Sequence, residues 1–192
     1  MLHSWLSHPA AAPAISTVPE SVLPSFEYEP LPSNKKCFRI FHLEPRGSEE
    51  ATAKSGGSDH LHGGLRGHLS IVYLDQTNDT RIQYDALSYC WEDPIEPNPK
   101  YDPNDKDIVA LHQERSDGTR TAVSQFTITR ALSTTLRYLR ARSGMTLLPP
   151  MFIDQICINQ GEEAEAKTEK NQQISLMGDI YRHCARVVAW LG

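Results

Sequence analysis

MFIDQICINQ, residues 151–160, is the densest apolar stretch of the chain, and the rest is read outward from it. Phe152, Ile153, Ile156 and Ile158 favour a strand, and Pro149 and Pro150 bar a helix from running into it. So short an apolar run, set between a proline pair and an acidic loop, fits a strand covered on both faces, as in parallel sheets. Asp154 interrupts the pattern. In a strand it shares a face with Phe152, Ile156 and Ile158. A carboxylate there needs hydrogen-bond donors, a cation or a proton, so Asp154 is expected to be buried and structural. The run closes on Cys157, Asn159 and Gln160, where a parallel strand meets its loop. Open α/β sheets bind ligands at such places.

A second stretch, RIQYDALSYCWED (residues 81–93), has the same character. Ala86–Trp91 reads as a buried strand that ends in Ser88, Tyr89, Cys90, Trp91, Glu92 and Asp93. Pro94, Pro97, Pro99 and Pro103 then force an irregular excursion containing short strands at Asp107–Gln113 and Gln125–Thr129. From Thr129 the period becomes helical, through Leu132, Leu136 and Leu139. Thr129 suits an N-cap, Arg137, Arg140 and Arg142 suit the C-terminal dipole, and Gly144 ends the helix. After the acidic run Glu162–Glu165, expected to be a solvated loop, Thr168 caps a second helix. Ile174, Met177, Tyr181 and Cys184 form its apolar face, with Ile180 beside them. Val187–Leu191 is a third buried strand.

Strand, helix, strand, helix, strand implies a parallel sheet. The strand ends at Trp91, Ile158 and Leu191 then share one edge, with a crevice lined by Ser88, Trp91, Asp93, Asn159 and Gln160. Upstream, Lys36–Leu43 and Leu69–Leu74 read as strands of an N-terminal β-rich extension. Residues 1–35 read as a proline-rich tail, disordered or loosely docked, and residues 36–192 as one domain.

Composition narrows the function. Over 192 residues the net charge is −5, with no basic block to bind nucleic acid. No apolar run approaches the roughly 20 residues that span a bilayer, and the N-terminus reads as neither a secretory signal nor a transit peptide. Cys37, Cys90, Cys157 and Cys184 show no CxxC spacing and read as reduced thiols of a cytoplasmic protein. His60, His62 and His68 lack the further ligands of a metal site, so no metal is expected. Ser88 lacks nucleophile-elbow glycines and reads as a strand-end serine. Cys157 reads as core. Trp91 reads either as a core aromatic or as one wall of a base-stacking pocket. Glu169 and Gln173, one helical turn apart, share a face. That face is either solvated or carries Gln173 to the Asn159/Gln160 loop.

YDALSYCWED resembles the first signature of the fungal heterokaryon-incompatibility (HET) domain, Y-x-A-L-S-Y-x-W-G-D, and FIDQICINQ resembles its second, W-I-D-x-x-C-I-N-Q. Glu169, Gln173 and Ile174 match the E-x-x-x-Q-V that follows. Met177, Ile180, Tyr181, Ala185 and Val188–Gly192 match M-x-x-I-Y-x-x-A and V-x-W-L-G. Phe152 stands where the family has tryptophan, and Glu92 where it has glycine. The resemblance implies a signalling and interaction domain of non-self recognition that triggers programmed cell death through protein partners or self-association.

More distantly, ALSYCWED looks like the first strand of Toll/interleukin-receptor (TIR) domains. That likeness implies an α/β, flavodoxin/TIR-like parallel sheet core, incomplete at the C-terminus, with the Leu87 strand between the other two. It also implies an alternative function, hydrolysis of NAD or a related nucleotide, with the catalytic glutamate beyond Gly192; an inactive remnant of either kind is the remaining alternative. No catalytic residue is assigned and no resident cofactor is expected. The candidate crevice is Ser88, Tyr89, Trp91, Asp93, Asn159, Gln160 and Gln173, with Asp154 and Glu169 as structural polar groups. The chain alone is expected to be silent toward NAD and, unless the N-terminal segment covers the edge of the last strand, prone to self-associate.

Overall fold

The structure, a computed structural model, describes residues 23–45, 64–74, 83–90, 106–115, 117–143 and 147–191. Its elements are β1 (Cys37–Leu43), β2 (Leu65–Tyr73), β3 (Asp85–Tyr89), β4 (Lys106–Gln113), β5 (Ser124–Thr129), α1 (Arg130–Ser143), β6 (Met151–Phe152), α2 (Asp154–Cys157), α3 (Ala164–His183) and β7 (Arg186–Trp190). Seven strands form one mixed sheet in the order β5-β4-β2-β1-β6-β3-β7. β3 pairs in parallel with β6 on one side and β7 on the other, so the Leu87 strand does lie between the other two. The N-terminal strands join the same sheet. β1 runs antiparallel to both β2 and β6, and β4 pairs in parallel with β2 and antiparallel with β5.

The stretch 151–160 is not the continuous strand that its composition suggests. It leaves the sheet after Phe152 and turns helical, with the Ile156 and Cys157 N–H groups donating to the Ile153 carbonyl at 3.0 and 2.7 Å. A short apolar run suits a buried helical turn as well as a buried strand. Here the turn wins because it buries Ile156 and Cys157 and also sends Gln155 inward. Asp154 accordingly opens α2, half-buried rather than buried. Its Oδ1 accepts the Gln155 N–H at 2.8 Å.

Helix α3 also starts earlier than expected. Thr168 lies inside it, its hydroxyl donating to the Ala164 carbonyl, and Glu163 is the N-cap. The buried stripe is Ala166, Gln173 and Ile180. Ile174, expected on the apolar face, is exposed. The capping of α1 follows the sequence, since the Leu132 N–H donates to the Thr129 hydroxyl at 3.3 Å. Gly144, His60, His62 and residues 1–22 lie outside the described residues, whereas residues 23–35 run over the sheet.

Phe38, Ile40, Phe41, Leu132, Leu136 and Phe152 are fully buried in one core, each side chain contributing about 1.5–3 kcal/mol of apolar burial. α1 packs on β2, β4 and β5, and its Tyr138 ring meets Trp190 of β7 at 4.8 Å. One helix therefore touches both edge strands. A Cβ at Gly67 would overlap the Phe41 ring and the His42 carbonyl, so only glycine lets β1 and β2 pack as closely as they do. Among the described residues no helix is long and apolar enough to cross a membrane.

Strand register also builds a histidine ladder. His42 pairs with His68 and His68 with His112. Their rings stack at 4.2 and 5.3 Å, on the sheet face opposite Arg39 and Phe41. Burial lowers the pKa of all three, and His68, flanked by the other two and facing Arg120, falls to about 4. Arg120 and Arg66 also lower His112, while Glu114 raises His42 and His112, and Glu44 raises His112. The unfolded chain protonates histidine near pH 6.5, and the folded chain does so lower. Unfolding thus takes up protons between about pH 6.5 and 4, and stability present above that window is lost as pH falls through it. Melting temperature is expected to drop between about pH 7 and 5, and to drop less in His68→Asn. Parallel pH profiles for the two proteins would contradict this origin.

Candidate functional site

A polar centre within the core forms around Arg39, which has no solvent exposure. β1 is buried on both faces, so its arginine depends on internal acceptors; both terminal nitrogens have them, while Nε has none among the described residues. Its Nη1 donates to Glu169 Oε1 at 2.7 Å and to the Cys157 carbonyl at 3.3 Å. Its Nη2 donates to Glu169 Oε2 at 2.9 Å and to the Glu29 carbonyl at 2.7 Å. This is the forked geometry that favours arginine over lysine. The guanidinium lies over the Tyr28 ring, 4.7 Å from its centre, and the Tyr28 hydroxyl donates to the Ile156 carbonyl at 2.9 Å. Burial raises the Tyr28 phenol far above its ordinary pKa against the pull of Arg39, so it stays protonated. Glu169 Oε1 also accepts the Asn159 N–H at 3.3 Å. One turn along α3, Gln173 Nε2 donates to the Cys37 carbonyl at 2.9 Å. One ion pair thereby ties together the N-terminal segment, β1, α2, the Asn159 loop and α3.

A second polar junction joins the two sequence motifs. β3 and β6 are parallel neighbours, so their C-terminal ends fall together. Tyr89 donates from its hydroxyl to Gln155 Oε1 at 3.4 Å, and the same oxygen accepts from the Thr129 N–H and hydroxyl at 3.2 and 3.1 Å. Burial raises the Tyr89 phenol, with Asp154 and Cys157 adding to the shift. Burial likewise pushes the Cys157 thiol up to about 12, keeping it protonated and unreactive.

The expected crevice is only partly assembled. Tyr89 meets the second motif through Gln155. Ser88 is exposed on β3. Gln160 Nε2 turns back to the Asp154 carbonyl at 3.2 Å. Asn159 faces a different cleft, between α3 and residues 28–33, where its Oδ1 accepts the Gly161 N–H. Gln173 does not reach that loop; Glu169 does. Trp91, Glu92 and Asp93 lie outside the described residues. Sequence reasoning missed Arg39, Tyr28 and Gln155. The available signal was an arginine between Phe38 and Ile40 in a mostly apolar strand, and an aromatic pair, Phe26 and Tyr28, at the end of the proline-rich tail. Among the described residues no group of three or more His, Cys, Asp or Glu side chains is placed to hold a metal.

The protein-family model described as heterokaryon incompatibility protein (HET) matches residues 84–192, more than half of the chain. The chain belongs to the heterokaryon-incompatibility family. A relative in Neurospora crassa, heterokaryon incompatibility protein 6, OR allele, is 37% identical over 111 residues. The aligned stretch is 57% of this chain and 14% of that relative's length. No solved structure matches the chain significantly. In this HET chain the matched region supplies Glu169, Cys157, Ile156 and Asn159, while Arg39 and Tyr28 come from the residues before it.

Removing one partner of a buried ion pair strands the other charge, so Glu169→Ala is expected to cost about 3–5 kcal/mol. Replacing both partners, as Arg39→Met with Glu169→Leu, should cost clearly less, because no charge is left buried. Urea denaturation of the three proteins measures this. A Glu169→Ala cost below about 1 kcal/mol, the range of a surface pair, would contradict it.

Proposed function

We propose that this chain is the signalling and interaction domain of a fungal non-self recognition system, and that its engagement triggers programmed cell death. The observation that carries the reading is membership of the HET family, with 37% identity to a heterokaryon incompatibility protein. The geometry favours binding over chemistry. Glu169, Gln173, Gln155 and Gln160, polar groups in or beside the two motifs, are engaged in holding backbone and side chains. The Cys157 thiol is protonated and buried.

The partner surface we assign to this activity is the free side of β7. Among the described residues its strand neighbour is β3 alone, and Val187 and Leu191 are 51% and 85% exposed. Such an edge accepts another strand, from a protein partner or a second copy. We infer a cytoplasmic location, with neither nucleic acid nor membrane as partner. A second reading, TIR-like hydrolysis of NAD or a related nucleotide, draws on the parallel order β6-β3-β7, the order that the TIR likeness implies.

Induced expression of the chain in a filamentous fungus is expected to arrest growth. Val187→Lys should abolish the arrest without lowering the melting temperature, since the side chain is half exposed. Unimpaired growth with the native chain, or arrest unchanged in the variant, would contradict the proposal. Incubation of a chain extended beyond Gly192 with NAD is expected to release no nicotinamide; release would make the second reading the better one.

A further inference from the structure

Beside the buried ion pair, a cleft of about 380 Å³ opens between residues 31–37 and α3. Lys35, Lys36, Ser33, Asn34, Gln172 and Gln173 supply most of its polar lining. Lys35 is positioned by the Tyr73 ring, its ammonium 5.0 Å from the ring centre. No carboxylate is among the described lining residues. The adjoining cleft, lined by Glu165 and Glu169, has no lysine or arginine among them.

Gln173 adds a directional group. It is only 2% exposed. Its amide orientation is fixed, because Nε2 donates to the Cys37 carbonyl. That leaves Oε1 as an acceptor, and it has no partner among the described residues. A buried acceptor without a donor is costly, and the ammonium-rich cleft is where a ligand can bring one.

We propose that this cleft binds a small organic anion that carries a hydroxyl or amine donor beside its charge. The ammoniums of Lys35 and Lys36 take the anionic group, as point charges that tolerate carboxylate or phosphate. The ligand's O–H or N–H donates to Gln173 Oε1. The cleft volume is within the roughly 300–1,000 Å³ of small-molecule sites. Because the cleft spans the seam between α3 and the start of β1, occupancy stabilises that seam by mass action.

The test is isothermal titration of the full chain with ribose 5-phosphate and with malate. Sulfate supplies charge without a carbon-borne donor, and ribose supplies donors without charge. We expect saturable binding of at least one of the first two. Sulfate and ribose should each bind about tenfold or more weakly, a difference of 1.4 kcal/mol or more. The Gln173 side-chain amide resonance should shift on saturation. Gln173→Met should weaken binding, and Lys35→Ala with Lys36→Ala, both at exposed positions, should abolish it while leaving the fold intact. Failure of both probes to saturate at millimolar concentration would overturn the proposal. So would sulfate binding as tightly as either probe, or native affinity in the lysine variant.

Discussion

Arg39 is a fully buried cation in the middle of a seven-stranded sheet, and much of the architecture around it is what such a charge requires. Its two terminal nitrogens are shared between Glu169 of α3, the Cys157 carbonyl of α2 and the Glu29 carbonyl of the N-terminal segment. Buried ion pairs add little net stability compared with apolar residues of similar volume, but they are unforgiving of misplacement. Here the pair acts as a register device. β1, α2 and α3 cannot slide against one another without leaving a charge unmatched in the core.

That constraint accounts for the irregular path after β6. A strand through residues 153–158 would have carried the Cys157 carbonyl along the sheet. The turn of α2 instead brings it to Arg39, exposes one side of Asp154, and sends Gln155 inward to meet Tyr89 and Thr129. The acidic segment can then start a helix at Ala164, early enough to place Glu169 and Gln173 over β1. The N-terminal segment is drawn in by the same centre. Tyr28 covers the guanidinium, and Phe26 and Tyr28 pack edge-on against Phe126 of β5.

What was legible in the sequence were the features set by local chemistry and strand adjacency. The proline brackets, the helical leucines of α1, the Thr129 cap and the placement of β3 between β6 and β7 all followed from residue pattern, family resemblance or both. Features set by long-range pairing did not. Nothing local marks Asp154–Cys157 as helical, because β-branched apolar residues suit a buried strand equally well. Nothing local pairs Arg39 with Glu169, 130 residues away. The helix face of α3 was read in part: Tyr181, Cys184 and the neighbouring Ile180 do pack on the core, and Ile174 does not. Apolar content pointed to Ile174, whereas the buried stripe is chosen by Gln173, whose partner is the backbone of β1.

The central claim is that one ion pair fastens the N-terminal segment and β1 to the HET motif region. Native-state hydrogen exchange on Arg39→Met tests it most directly. The account predicts joint loss of protection at the amides of Phe38–Phe41, at Ile156 and Ile158, and in the first turns of α3, with β4 and β5 retaining theirs. Loss confined to the amides flanking residue 39, with α2 and α3 protected as in the native chain, would contradict it.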